Sequence, residues 1–266
     1  MYSYMRWLPL LLIGMATFAQ AAEPTRWKPP HPMPSFDIQL NDPRGLSDIP
    51  NVAVLELDHD TSPTLLSSVR ARGTKLICYI NAGAWESYRS DARSFPKAVL
   101  GKAYDGYPDE RWLDIRRIDL LAPIMRARMD QCKKKGFVAI DPDNVNGYEN
   151  RTGFPLTQAN QLAYNRWLMN EAHARGLSIV LKNTPALAAQ LAKDGYDMAL
   201  TESCVSDAFC SYFTPFTATK RPVVDLEYID EGMTIKTACP TLRKLGFYGL
   251  VKTSSSSIGK ARQACN

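Results

Sequence analysis

Histidine is scarce in this 266-residue chain, and cysteine pairs of the metal-binding type are missing. The 3 histidines, His31, His59 and His173, stand at no ligand spacing, and no C-x-x-C pair occurs. A zinc site built on these residues is not expected, and no metal or other cofactor is assigned. No glycine-rich phosphate loop follows the first strand-like run, which argues against an open dinucleotide-binding sheet. Beyond the N-terminal segment, no stretch is long and apolar enough to cross a membrane. The four serines at 254–257 have no histidine nearby in sequence, so they read as a polar loop rather than a nucleophile. Low-complexity tracts are absent, as expected of a globular protein. A formal net charge of +5, scattered along the chain, is too weak a footprint for a nucleic-acid partner.

What is present begins with a targeting signature. Arg6 supplies a positive start, residues 7–18 are nearly all apolar, and Ala19-Gln20-Ala21 is an A-x-A cleavage site. Residues 1–22 are therefore expected to be a signal peptide, and 23–266 one domain that is secreted or periplasmic, monomeric and free of the membrane after cleavage. An oxidising compartment makes the six cysteines a disulfide set. Cys204 and Cys210 are close enough in sequence to close one loop, with Cys78, Cys132, Cys239 and Cys265 left for two more bridges. Six cysteines allow 15 pairings, and spacing alone does not choose among them.

Short apolar, β-branched runs alternate with longer amphipathic ones. Strands are expected at 36–40, 52–58, 75–81, 137–141, 178–182, 198–202, 222–227 and 247–251. Helical patterns lie between most of them, at 62–72, 121–135, 158–175 and 185–194. Pro123 suits a first helical turn and Gly136 a helix stop. The alternation implies a parallel sheet, and eight repeats over about 245 residues imply an α/β fold, a single (β/α)8 TIM-type barrel. A long loop follows the third strand, from 82 to about 120, carrying Trp85, Tyr88, Tyr104, Tyr107 and Trp112 among charged residues. Those aromatics either stack on sugar rings or pack the loop onto the barrel; both readings stand.

Active sites of such barrels sit at the carboxyl ends of the strands. Those ends carry Asp58, the run Asp141-Pro142-Asp143-Asn144, Lys182-Asn183, Glu202, Glu227-Tyr228 and Lys252. Acids gathered at one rim suit cleavage of a glycosidic bond, in which one carboxyl protonates the leaving oxygen and the other attacks or activates water. Strand side chains alternate with period two, so Asp141 and Asp143 share a face, with Asp143 one layer higher.

These segments resemble glycoside hydrolase family 114, the endo-α-1,4-polygalactosaminidases. The resemblance rests on Phe36-Asp37-Ile38-Gln39-Leu40, Glu110-Arg111-Trp112-Leu113-Asp114-Ile115-Arg116, Asp141-Pro142-Asp143-Asn144, Gly147-Tyr148, Thr152-Gly153-Phe154, Leu181-Lys182-Asn183, Glu202-Ser203-Cys204 and Glu227-Tyr228. It implies a (β/α)8 barrel, endo-cleavage of α-1,4-linked galactosamine polymers such as those of biofilms, and Asp143 and Glu202 as the catalytic pair. The family has glutamate where this chain has Asp141. By analogy with barrel hydrolases of α-linkages, Asp143 is expected as nucleophile and Glu202 as general acid/base of a retaining reaction. Asp58, Asp141 and Glu227 are then expected to bind sugar ammonium groups, and Tyr79, Tyr148, Lys182 and Asn183 hydroxyls, with Asn144 and Tyr228 completing the substrate-binding set. A metal-dependent polysaccharide deacetylase and a non-catalytic sugar-binding barrel are the competing readings.

Overall fold

The computed structural model describes Met1 and residues 25–41 and 45–265. The expected signal segment, apart from Met1, lies outside the described residues.

Eight parallel strands form the barrel wall, and they fall where the apolar runs predicted. In chain order, β1 is Phe36–Gln39, β2 Val54–Asp58 and β3 Lys75–Asn81. Three short strands follow in the segment after β3: β4 Ala84–Glu86, β5 Leu100–Tyr104 and β6 Tyr107–Leu113. The wall resumes with β7 Ala139–Asp143, β8 Ser178–Lys182, β9 Met198–Glu202, β10 Val223–Tyr228 and β11 Tyr248–Lys252, and β12 is Arg262–Ala264. The sheet order is β1-β2-β3-β7-β8-β9-β10-β11-β12, with β12 antiparallel to β11. Among the described residues no ladder joins β11 directly to β1. The seam is bridged instead by side chains: Lys252 Nζ reaches Asp37 Oδ1 at 2.6 Å, and Arg262 donates to Phe36 O at 3.0 Å.

The helices are α1 Pro63–Ala71, α2 Ile118–Lys135, α3 Gln158–Ala174, α4 Pro185–Asp194, α5 Thr214–Ala218 and α6 Ile235–Leu245. Their ends obey local chemistry. Ser62 caps α1, and Thr157 and Thr234 each form a reciprocal capping box. Gly136 stops α2 at φ 87°, a left-handed conformation that glycine adopts without a Cβ clash. Pro123 does not open α2 as expected. The helix starts at Ile118, so the proline sits in its second turn, where it removes one i→i−4 bond.

Two apolar layers result. One lies between the outer face of the wall and the helices; the other fills the barrel with residues such as Phe36, Ile77, Val180, Leu200 and Leu226. Trp27 and Met33, from the proline-rich lead-in, pack against the inner layer, and Ser178 Oγ donates to Trp27 O at the N-terminal end of β8. The lead-in thus plugs the bottom of the barrel and leaves its upper end open. Three disulfides tie this frame together: Cys78–Cys132 joins β3 to α2, Cys204–Cys210 closes the loop after β9, and Cys239–Cys265 joins α6 to the residue after β12.

The segment after β3 is not the irregular loop expected. Residues of β4, β6 and β5 form a second antiparallel sheet in that order. Two arginines fix it to the barrel. Arg89 bonds both oxygens of Asp58 at 2.7 Å, Glu86 at 2.7 Å and Asp60 at 3.1 Å. Arg128 of α2 holds Asp91 with two bonds of 2.8 Å and Asn81 O at 2.6 Å.

Candidate active site

A cleft of about 310 Å³ opens at the C-terminal ends of the strands, lined by Asp58, Tyr79, Glu86, Tyr88, Tyr104, Tyr107, Glu110, Asp143, Asn144, Lys182, Asn183 and Glu202 among others. The inserted sheet forms one wall. Leu40, Asn41, Ser255, Ser256 and Ile258, from the segments that follow β1 and β11, also line the cleft.

At the floor one ammonium group collects three carboxylates. Lys182 Nζ lies 3.6 Å from Asp141 Oδ2, 3.7 Å from Asp143 Oδ1 and 3.5 Å from Glu202 Oε2. The lysine side chain is 2% exposed. Burial disfavours its charge, but Asp143, Glu202, Asp141 and Glu56 outweigh burial and hold the amine protonated well above the ordinary lysine range. Because Asp143 and Glu202 both touch the same nitrogen, their facing oxygens are at most about 7 Å apart. Strand periodicity explains the meeting: Asp141 and Asp143 on β7, Lys182 on β8 and Glu202 on β9 are inward positions of three adjacent strands.

Each acid has its own neutral partner. Tyr79 donates to Asp143 Oδ2 at 2.9 Å. Tyr228 donates to Glu202 Oε1, and Asn183 Nδ2 donates to Glu202 Oε2 at 3.4 Å. Asn183 also accepts from the Glu202 backbone N–H at 2.9 Å, so one amide orients both parts of the residue. Burial and then the charge of Asp143 raise the Tyr79 phenol well above its ordinary range; burial and Glu202 do the same to Tyr228. Both phenols therefore remain donors at any ordinary pH.

Backbone geometry at the rim is unusual in the same three places. Asn144 follows Asp143 with φ 60°, Asn183 follows Lys182 with φ 45°, and Ser203 follows Glu202 with φ 61°. Asparagine tolerates the left-handed region better than most residues, serine less well. Each turn ends the strand just past a functional side chain. Gly83 makes the first turn possible, since a Cβ there would fall 1.8 Å from Asn144 O. Asn81 ties that turn to the inserted sheet, accepting from Asn144 Nδ2 at 3.0 Å and Ala84 N at 2.8 Å and donating to Glu110 at 3.3 Å.

Several expected substrate contacts fall elsewhere. Glu227 is an outward position of β10, buried, with Oε1 accepting from Val205 N at 2.7 Å; period two puts Tyr228 inside and Glu227 outside. Asp141 is fully buried beneath Asp143, one strand layer too deep to touch a sugar. Tyr148 lies outside the cleft lining and donates to Glu149 at 2.5 Å. Asp58 lines the cleft, but Arg89 grips both of its oxygens, and Lys182 is enclosed by carboxylates. Tyr79, Asn144 and Asn183 line the cleft, and the Tyr228 hydroxyl reaches it through Glu202. The aromatics of the insert divide between the two readings: Trp112 is buried and Tyr104 stacks on it at 4.5 Å, whereas Tyr88 and Tyr107 are exposed on the cleft.

Sequence reasoning missed two acids. Glu56 is fully buried and inward, and its carboxyl faces that of Asp141; neither has a hydrogen-bond donor of its own. Burial and the Asp141 charge push Glu56 well above the carboxylate range, and burial pushes Asp141 up to about 6 against the pull of Lys182. An acid in the apolar run Val54–Asp58, two positions before Asp58, was the available signal. Glu110 of β6 reaches the cleft from the insert. Burial, Glu86 and Asp143 raise it to about 7.

Comparison with known proteins identifies the family and the fold. The solved structure of Aspergillus fumigatus Ega3 in complex with galactosamine superimposes with a TM-score of 0.81 at 27% identity, over 91% of this chain and 98% of that one. The glycoside hydrolase domain of PelA from Pseudomonas aeruginosa shares the fold, with a TM-score of 0.63 at 14% identity over 84% and 95% of the two chains. An uncharacterized protein of Deinococcus radiodurans is 26% identical over 219 residues, 73% of this chain and 70% of its own. The model of glycoside-hydrolase family GH114 matches residues 16–266. The chain therefore belongs to glycoside-hydrolase family GH114, and it is a glycoside hydrolase built on a TIM-type barrel.

Proposed function

We propose that this hydrolase is exported and cleaves α-1,4-linked, galactosamine-containing polysaccharide internally, with Asp143 as nucleophile and Glu202 as general acid and base. The observation that carries the reading is the meeting of Asp143 and Glu202 over Lys182 at the floor of an open cleft. Asp143 attacks the anomeric carbon while Glu202 gives its proton to the leaving oxygen; water then releases the glycosyl ester, with Glu202 as base. Lys182 keeps its balance through the first step, because Asp143 loses a negative charge as Glu202 gains one.

Substrate class follows from the lining. Glu110 and the two candidate catalytic acids face the cleft, while its two cations, Arg89 and Lys182, are already paired with carboxylates. Such a cleft favours a polymer bearing ammonium groups. The galactosamine bound in the Ega3 structure supports the same sugar. Export rests on the N-terminal signature and three disulfides.

The test is incubation with partly deacetylated α-1,4-galactosamine polymer followed by mass analysis. Oligomers several sugars long are expected. Asp143→Asn and Glu202→Gln should each lower kcat by a factor on the order of 1,000 or more while circular dichroism stays unchanged. Near-normal turnover by Asp143→Asn would overturn the assignment, and binding without new reducing ends would favour a sugar-binding barrel.

A further inference from the structure

Behind β10, on the face turned from the cleft, two carboxyl groups stand side by side. Asp225 and Glu227 are alternate residues of one strand and project the same way. Both are fully buried. Each has one satisfied oxygen and one orphan. Asp225 Oδ1 accepts from Thr201 Oγ1 at 2.7 Å and from Cys204 N at 3.3 Å, and Glu227 Oε1 accepts from Val205 N at 2.7 Å. Asp225 Oδ2 and Glu227 Oε2 have no donor at all. Two buried carboxylates cannot face each other uncompensated; a proton between the orphan oxygens resolves both.

What they hold is the backbone directly after Glu202. Ser203 takes a left-handed conformation at φ 61°, and its N–H donates to Leu226 O at 2.7 Å. Cys204 and Val205 are then gripped by the acid pair, and the Cys204–Cys210 disulfide closes the loop over it. From the inner face of the same strand, Tyr228 bonds the Glu202 carboxyl. One segment of β10 therefore controls Glu202 from both sides.

We infer that Asp225 and Glu227 are positioning residues for Glu202: they share one proton and through it clamp the strained turn that aims the Glu202 side chain at the cleft. The inference rests on Glu202 acting as the acid and base proposed above. Direction of titration agrees with the geometry. Burial, followed by Glu227, raises Asp225 well above the carboxylate range, and burial raises Glu227 despite its backbone bonds. Asp225 then donates to an ionised Glu227, whose charge strengthens the bond from Val205 N. Other charges near the turn are also acidic: Asp207 acts on Glu227, and Glu231 accepts from Ser203 Oγ.

Three measurements on the full-length protein test this. Infrared difference spectra between wild type and Asp225→Asn should show the loss of a protonated buried carboxyl. Amide exchange at Cys204 and Val205 should accelerate in Glu227→Ala and stay near wild type in Glu227→Gln, which retains an acceptor for Val205. On the galactosamine polymer, Glu227→Ala should lower kcat by roughly 10- to 100-fold with KM nearly constant, and Glu227→Gln should restore most of it. In a Glu202→Gln background, Glu227→Ala should add little further loss, since both act through one group. Full additivity there, or unchanged exchange at Val205 in a folded Glu227→Ala, overturns the inference. If Glu227→Ala does not fold, Asp225→Ala, which removes the acceptor for Cys204 N, carries the exchange and kinetic tests. A wild-type protein that leaves the polymer intact defeats the proposed function alone, since exchange and infrared spectra still report on the clamp.

Discussion

Two groups of acids adjoin the cleft, and they behave in opposite ways. Where the insert meets the barrel, Asp58, Glu86 and Asp91 face two guanidinium groups, Arg89 and Arg128. Burial there would raise Asp58 and Asp91, but the arginines' hydrogen bonds and charge win, and both carboxyls sit below their ordinary range. At the barrel floor, Glu56, Asp141, Asp143 and Glu202 share the single cation Lys182. There burial wins for the two deepest acids, and Glu56 and Asp141 are raised. The residue types match; the ratio of cations to carboxyls does not. With ample cations the acids become scaffold. With one cation they become a proton reservoir beneath the two candidate catalytic groups.

Removing the floor's cation should have the largest effect. Lys182→Met is expected to cost about 3–5 kcal/mol at neutral pH and to abolish hydrolysis, because it leaves buried carboxylates without a partner. The loss should shrink at pH 5, where protons replace the missing charge. Urea unfolding at both values checks this, and an equal loss at each would refute the balance described here. Arg89→Met should cost less, about 2–3 kcal/mol, since Asp58 and Asp60 are partly exposed. Its kinetic effect should fall on KM rather than kcat, because the insert supplies one wall of the cleft.

Wild-type stability should carry both signatures in one pH scan. The lowered Asp58 and Asp91 contribute stability that is present above about pH 4 and lost as pH falls through their folded values. Asp141 is raised to about 6, so the folded state binds more protons than the unfolded one from about pH 4 upward. Stability should therefore decline as pH rises through that window, by an amount on the order of 3 kcal/mol. The decline should shrink in Asp141→Asn, with the remainder coming from the other raised carboxyls, Glu56, Glu110, Asp225 and Glu227, and a decline left unchanged there would assign it wholly to those groups. The smallest effect is expected at Glu110, whose value of about 7 leaves it half ionised near neutrality. KM for the galactosamine polymer should fall as pH rises through 7, and Glu110→Gln should flatten that dependence without changing kcat.

Much of this frame was readable beforehand. The eight wall strands follow from short β-branched runs bounded by turn residues, and Lys75–Asn81, Ser178–Lys182 and Met198–Glu202 were placed to the residue. The acids Asp143 and Glu202 were legible because strand ends on a barrel converge. Glu227 was misplaced because strand boundaries are uncertain by a residue, and one residue exchanges inside for outside. Glu56 was overlooked although it lies two positions before Asp58 on the same face. The sheet in the insert was hidden by the polar composition of Tyr107–Leu113, whose pairing depends on partners distant in sequence.

Periodicity and propensity are local, so the chain itself dictated where strands and helices form, which acids end the strands, and that six cysteines pair within a barrel. Charge state, by contrast, depends on what lies within a few ångströms through space. Only the folded molecule decided that Lys182 joins three carboxylates, that Arg89 removes Asp58 from free service, and that Asp225 and Glu227 face each other behind the wall.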